Sequence, residues 1–186
     1  MLDILQSADE SIMLFIQENI RCDFLNPVMK FFSFIGNAGI LWIAIGIILL
    51  LLRGYRVTGF DMLLALAVCA AINNLVIKEF IMRSRPYETI QGLTTIIAPL
   101  SSWSFPSGHA ASSFASAYAL GKSRGGKWWL YYIPAALIAI SRVYVGVHYL
   151  SDIVGGAIVG TAVSMCVYYL RNRYLSFDKK KEQDGH

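Results

Sequence analysis

Long apolar runs are the feature that most restricts what this chain can become. A helix needs about 20 apolar residues to cross a bilayer. Residues 28–52, 58–80 and 149–170 meet that length. Residues 107–120 and 128–144 are shorter and are read as further spans, tilted or shielded by neighbours. Composition agrees, with 56% hydrophobic and only 15% charged residues in 186. A soluble domain carries about 25% charge, and one this small buries too little of its surface to hide so much apolar area. The expected fold is all-α: a polytopic transmembrane helical bundle of five spans, built as one domain over residues 1–186.

Residues 2–20 have a different pattern. Leu5, Ala8, Ile12, Phe15 and Ile16 recur at helical spacing, and Gln6, Asp9, Glu10 and Gln17 take the other face. This predicts an amphipathic helix lying on the membrane. The alternative, a sixth span, is disfavoured by four acidic residues between Asp3 and Glu18. The first ten residues hold no Lys or Arg, so no cleavable secretory signal is expected.

Loop charges set the orientation. Arg53, Arg56, Lys122, Arg124, Lys127, Arg171, Arg173, Lys179, Lys180 and Lys181 all fall at one end of the alternating spans. The positive-inside rule makes that end cytoplasmic. The net charge of +4 is therefore a matter of topology, and no nucleic-acid partner is expected. Cys22, Cys69 and Cys166 share no metal-ligand spacing and are read as small apolar residues without a disulfide. The charged tail, 178–186, is expected to be disordered. Gly156 and Gly160 form a small-xxx-small pair, read as close packing inside the bundle rather than a dimer face.

Three segments break the apolar background. One runs from Lys78 to Pro86 with Arg83 and Arg85, one is Pro106-Ser107-Gly108-His109, and one runs from Ser141 and Arg142 through His148 to Asp152. The alternation of spans brings all three to the non-cytoplasmic face. Lys78, Arg85 and Arg142 are costly at a membrane edge unless an anion receives them, and arginine forks match phosphate oxygens. Ser107 is a good helix cap, the N–H groups after it suit an anion, and Gly108 lets the backbone approach. His148 and Asp152 stack on one face if a helix starts by His148. The carboxylate then fixes the imidazole tautomer and frees the other nitrogen as nucleophile or base. With His109 from another helix, one histidine can attack phosphorus and the other can protonate the leaving oxygen. Arg83 reads as a snorkelling anchor, and Asp61, Asn73 and Asn74 as hydrogen bonds between helices.

Lys-x6-Arg-Pro, Pro-Ser-Gly-His and Ser-Arg-x5-His-x3-Asp together resemble the signature of the type 2 phosphatidic acid phosphatase (PAP2) superfamily. Lys78, Arg85, Pro86, Pro106 to His109, Ser141, Arg142, His148 and Asp152 meet every position of it. The resemblance implies a helical membrane enzyme that hydrolyses lipid phosphate or diphosphate esters without a metal or other cofactor. It implies His148 as nucleophile, His109 as general acid and Asp152 as orienter, with Lys78, Arg85, Arg142, Ser107 and Gly108 holding the phosphate. The short chain resembles bacterial members acting on undecaprenyl diphosphate or phosphatidylglycerol phosphate; undecaprenyl diphosphate is the expected substrate, with phosphatidylglycerol phosphate or phosphatidic acid as the alternatives. That implies a bacterial inner-membrane protein with its site outside the cytoplasm, the bilayer and its lipid phosphate as partners, and no obligate protein partner.

Two rival classes remain open. A metal-dependent hydrolase would use His109, His148 and Asp152 as ligands, although three cations already supply the charge a metal would bring. A non-enzymatic lipid-phosphate binder or transporter would need the cradle but no positioned His–Asp pair.

Overall fold

The computed structural model describes residues 2–124 and 127–184, and every regular element among them is helical. In chain order these are α1 (Leu2–Phe15), α2 (Leu25–Ile35), α3 (Ile40–Leu51), α4 (Arg56–Ala71), α5 (Lys78–Ile81), α6 (Pro86–Thr89), α7 (Gly108–Arg124), α8 (Tyr132–Tyr144) and α9 (Leu150–Asp184). A π-helical stretch, Ile16–Ile20, continues α1, and a second, Ile72–Ile77, joins α4 to α5.

Two helical stretches, Arg53–Thr89 and Leu150–Tyr174, are long and apolar enough to cross a bilayer. The pair Leu25–Ile35 and Asn37–Leu51 makes a third if counted as one span. That pair corrects the expectation of one unbroken helix over 28–52: it is bent by 49°. The cause is local, because Ala38 and Gly39 both take left-handed backbone (φ 50° and 70°) within Gly36-Asn37-Ala38-Gly39. Glycine reaches that region without strain.

α7 forms at its expected place, but its sequence is too rich in Ser, Ala and Gly to pass as apolar. Its position explains that composition. It packs against α4, α8 and α9, with Ala110, Ala111, Ser113, Ala115, Ser116 and Ala117 all buried. A helix wrapped by its neighbours needs small residues for close approach rather than bulky ones for lipid. A Cβ on Gly156 would lie 2.5 Å from the Ser107 carbonyl oxygen, and one on Gly160 2.0 Å from that of Ala111. The two glycines therefore serve packing inside the bundle, as expected. Bulky residues face outward instead, among them Phe60, Leu75, Val76, Ile158, Met165 and Leu170.

Polar groups within the spans tie helices together. Arg171 Nε donates to Asp61 Oδ1 at 2.6 Å, joining α9 to α4. Trp42 Nε1 donates to Ser113 Oγ at 2.9 Å, joining α3 to α7. The three cysteines are unpaired. The tail expected to be disordered from Asp178 continues α9 as far as Asp184. Lys179, Lys180, Lys181, Glu182 and Gln183 are all good helix formers, and 185–186 lie outside the described residues.

α1 is helical as expected, but one residue of its polar face, Asp9, turns into the bundle. Asp9 and Met13 are buried against the bundle, while Ile4, Leu5 and Phe15 face outward.

Candidate active site

The ends of five helices meet at one end of the bundle. α5 stops at Met82, whose left-handed backbone (φ 48°) turns the chain back toward the bundle. Arg85 then caps α6: its N–H donates to Glu88 Oε2 at 2.9 Å, with Pro86 in the first helical position. α7 starts after Ser107, whose Oγ accepts from the Ala110 N–H at 3.5 Å. α8 ends just past Arg142, and α9 begins at Leu150. The Ser107 N–H donates to the Asp152 carbonyl at 3.0 Å, locking the starts of α7 and α9 together.

His148 lies just before α9 rather than within it, which changes the reason it meets Asp152. The Asp152 carboxylate reaches back to the helix start and accepts from the Tyr149 N–H through Oδ2 at 2.9 Å. That cap brings Oδ2 to 3.3 Å from His148 Nδ1. Oδ2 also accepts from the Ser104 hydroxyl, and Oδ1 from Arg83 Nη1 at 2.7 Å. With Nδ1 facing a carboxylate, the ring proton is assigned to Nδ1, and Nε2 keeps its lone pair. His148 is buried, and burial pushes its pKa down to about 4, with the Asp152 hydrogen bond and charge opposing and Arg85 and Arg142 reinforcing the shift. The imidazole is thus neutral at pH 7.

Arg85 lies beside that free nitrogen. Arg85 Nη1 is 3.5 Å from His148 Nε2 and donates to the Val147 carbonyl at 2.7 Å. Its Nε and Nη2 are held by the carbonyls of Ser102 and Trp103 and by the Ser102 hydroxyl. Lys78 Nζ donates to the same hydroxyl at 3.4 Å. Arg142 is 2% exposed; it donates to the Ser33 hydroxyl, and its buried Nε has no partner among the described residues. A buried guanidinium with unmet donors and no carboxylate suits an anionic ligand.

His109 occupies the other side. Its Nε2 lies 3.0 Å from the Ser33 carbonyl oxygen and 3.1 Å from Asn37 Oδ1. Both are acceptors, so Nε2 carries the proton and Nδ1 makes no hydrogen bond among the described residues. Gly36 allows this approach: a Cβ there would lie 2.7 Å from His109 Cδ2 and 2.5 Å from Ile138 Cγ2. A cavity of about 560 Å³ opens beside His109 and Gly108 and runs down between α3 and α4 past Ile43, Leu63, Leu66, Ala67 and Ala70. Asn73 sits at its polar end, with Nδ2 3.4 Å from the Pro106 carbonyl.

All eight residues proposed from sequence thus come to one end of the bundle. Among the described residues no three His, Cys, Asp or Glu side chains are grouped to hold a metal. Sequence reasoning missed Ser104, Ser33 and Asn37, which hold the two histidines and Arg142, and it left Arg83 as an anchor. No spacing rule flags a lone serine in a loop. Arg83 could have been noticed as a third cation within the segment from Lys78 to Arg85.

Helix ends bring paired histidines, a buried carboxylate and three cations together, an arrangement whose chemistry suits a phosphate group. The match to the PAP2 superfamily model covers residues 58–175, and the chain belongs to that superfamily. It is 34% identical over 192 aligned residues to phosphatidylglycerophosphatase B of Bacillus subtilis, covering 94% of this chain and 89% of that protein. It is 30% identical over 141 residues to an undecaprenyl-diphosphatase of Sulfolobus acidocaldarius, covering 75% and 68%. Among solved structures it resembles the transmembrane PAP2-type phosphatidylglycerolphosphate phosphatase of Bacillus subtilis, with a TM-score of 0.74 and 30% identity over 91% of this chain and 87% of that one. The chain is an integral membrane protein.

Proposed function

We propose that this phosphatase hydrolyses a lipid phosphate or diphosphate ester without a metal, through a phosphohistidine on His148. One observation carries the reading: His148 Nδ1 faces the Asp152 carboxylate at 3.3 Å, and Nε2 faces the Arg85 guanidinium at 3.5 Å. Nε2 attacks phosphorus, and the bond from phosphorus to the lipid oxygen breaks. Lys78, Arg85 and Arg142, with the N–H groups at the start of α7, meet the charge on the equatorial oxygens. His109, protonated at Nδ1 once the phosphate anion is bound, gives that proton to the leaving oxygen. It then takes a proton from water, whose oxygen bonds to phosphorus as the P–N bond breaks and phosphate is released. Ser33 and Asn37 hold the His109 ring, and the cavity beside it is where the lipid chain would lie.

Five spans remain the reading of topology, with α7 and α8 crossing as shielded helices and α1 lying at the surface. α7 alone is about 25 Å long at 1.5 Å per residue. The site then faces away from the cytoplasm. In a cysteine-free background, Gln91→Cys should label with an impermeant reagent in intact cells and Gly54→Cys should not; the reverse pattern inverts the topology.

Undecaprenyl diphosphate is the first choice of substrate, supported by the outward site and the Sulfolobus acidocaldarius relative. Phosphatidylglycerol phosphate is the second, favoured by the longer alignment with the Bacillus subtilis protein. A panel of lipid phosphates assayed on purified protein with and without EDTA tests both levels. Turnover unaffected by EDTA, inhibited by vanadate and fastest on the polyprenyl diphosphate is expected. Activity lost in EDTA and restored by zinc or magnesium would defeat the mechanism. Preference for phosphatidylglycerol phosphate would replace only the substrate.

A further inference from the structure

Arg83 bridges two buried carboxylates beside the site, although it belongs to neither the phosphate cradle nor the histidine pair. Its guanidinium lies 3.8 Å over the Tyr149 ring. Nη1 donates to Asp152 Oδ1 and to Ser151 Oγ, both at 2.7 Å. Nη2 donates to Asp9 Oδ2 at 2.8 Å and to Gln6 Oε1 at 2.7 Å. Asp9 also accepts from the Ser151 N–H through Oδ1 at 3.0 Å and from the Ser151 hydroxyl through Oδ2. Asp9 is 2% exposed and Asp152 0%. One guanidinium is therefore shared between a carboxylate of α1 and the carboxylate that orients His148.

The charges explain why both partners are needed. Asp152 Oδ2 already faces three donors, the Ser104 hydroxyl, the Tyr149 N–H and His148 Nδ1. Oδ1 has Arg83, so the arginine fixes the plane of the carboxylate and meets its buried charge. A cation at 2.7 Å would by itself also cancel much of the negative field that steadies His148 as it gains charge on phosphorylation. Asp9 on the opposite arm of the fork restores that field. The sequence Asp9–Arg83–Asp152 carries a net charge of −1 directed at the imidazole.

We propose that Asp9 and Arg83 are positioning residues for His148, acting through Asp152, and that α1 is thereby part of the catalytic assembly. The proposal rests on the roles given above to His148 and Asp152. It also accounts for why α1 turns Gln6 and Asp9 toward Arg83.

The test uses the full-length protein in detergent, with Asp9→Asn, Asp9→Glu, Arg83→Gln and the Asp9→Asn/Arg83→Gln double variant. Readouts are kcat and KM on a lipid phosphate that the wild type turns over, the rate of phosphoenzyme formation, and inhibition by inorganic phosphate. Supporting side chains behind reacting groups typically contribute about 10- to 100-fold. Asp9→Asn should lower kcat and phosphoenzyme formation by about that much, with KM and the phosphate inhibition constant within about twofold, because the cradle is untouched. Asp9→Glu should recover most of the loss. The double variant should be little worse than Arg83→Gln alone, since the residues act as one unit. A kcat within about twofold of wild type in Asp9→Asn overturns the proposal. So does a loss that Asp9→Glu fails to relieve, one accompanied by an equal weakening of phosphate inhibition, or one that multiplies fully in the double variant. If Arg83→Gln does not fold, the two Asp9 variants decide. Wild-type protein inactive on every lipid phosphate would sink the proposed function instead.

Discussion

His148 and His109 face the same proposed phosphate from surroundings of opposite character. His148 is sealed: its ring is buried, its Nδ1 meets Asp152, and that carboxylate is held by Ser104, Tyr149 and Arg83. His109 is held on one edge only, by the Ser33 carbonyl and Asn37, and its neighbourhood opens into an apolar cavity. A nucleophile must keep one nitrogen deprotonated and aimed, which fixed hydrogen bonds achieve. A general acid must meet a leaving group that arrives with its own bulk, so it needs space beside it.

Removing the sealed side should have the largest effect. His148→Ala should lose at least about 10⁴-fold in kcat on every substrate and form no phosphoenzyme on acid-quench labelling. A labelled enzyme in this variant would assign the nucleophile elsewhere. Removing the open side should instead depend on the leaving group. His109→Ala should lose about 10²- to 10⁴-fold on a lipid monoester. With p-nitrophenyl phosphate, whose phenolate leaves without a proton, it should give a burst of nitrophenol followed by slow turnover. Equal impairment on both substrates would remove the distinction between the two regions.

Acid should act through the sealed histidine. Burial holds His148 near a pKa of about 4, with Asp152 opposing and Arg85 and Arg142 adding to the depression. The neutral ring is the reactive form, so rate should be lost as pH falls through about 4, roughly tenfold per unit below it. An acid limb of His148 near the ordinary value of about 6.5 would mean that water reaches the ring. The smallest effect belongs to the cavity. Ala70→Phe should raise KM for a long-chain lipid phosphate several-fold and leave p-nitrophenyl phosphate hydrolysis close to wild type. Equal loss on both would show that the cavity wall supports the site rather than the lipid chain.

Much of this was legible in the residues, because their chemistry and spacing carried it. Apolar runs announced helices in a bilayer. Lys78, Arg85 and Arg142 stood out as cations too costly to place in apolar stretches without a purpose, His109, His148 and Asp152 as groups able to pass protons, and Gly108 as a place for close backbone approach. The Ser107 cap was readable as a local preference. The bend at Gly36 to Gly39 was locally encoded too, but the length of the apolar run concealed it.

Other features existed only once the helices packed. That α7 is wrapped by neighbours, and so needs no lipid-facing residues, depends on where α4, α8 and α9 lie. That Asp152 meets His148 by capping α9, rather than from within one helix, depends on a backbone start that spacing did not fix. Arg83 read as an anchor because a lone cation near a helix end usually is one. Its partners lie at Asp9, 74 residues away, and Asp152, 69 residues away. The sequence by itself determined which groups had the chemistry to serve a phosphate, since a side chain carries its charge and hydrogen-bonding capacity wherever it sits. Only the tertiary structure decided which carboxylate meets which cation, because a hydrogen bond acts over about 3 Å and chain distance says nothing about that.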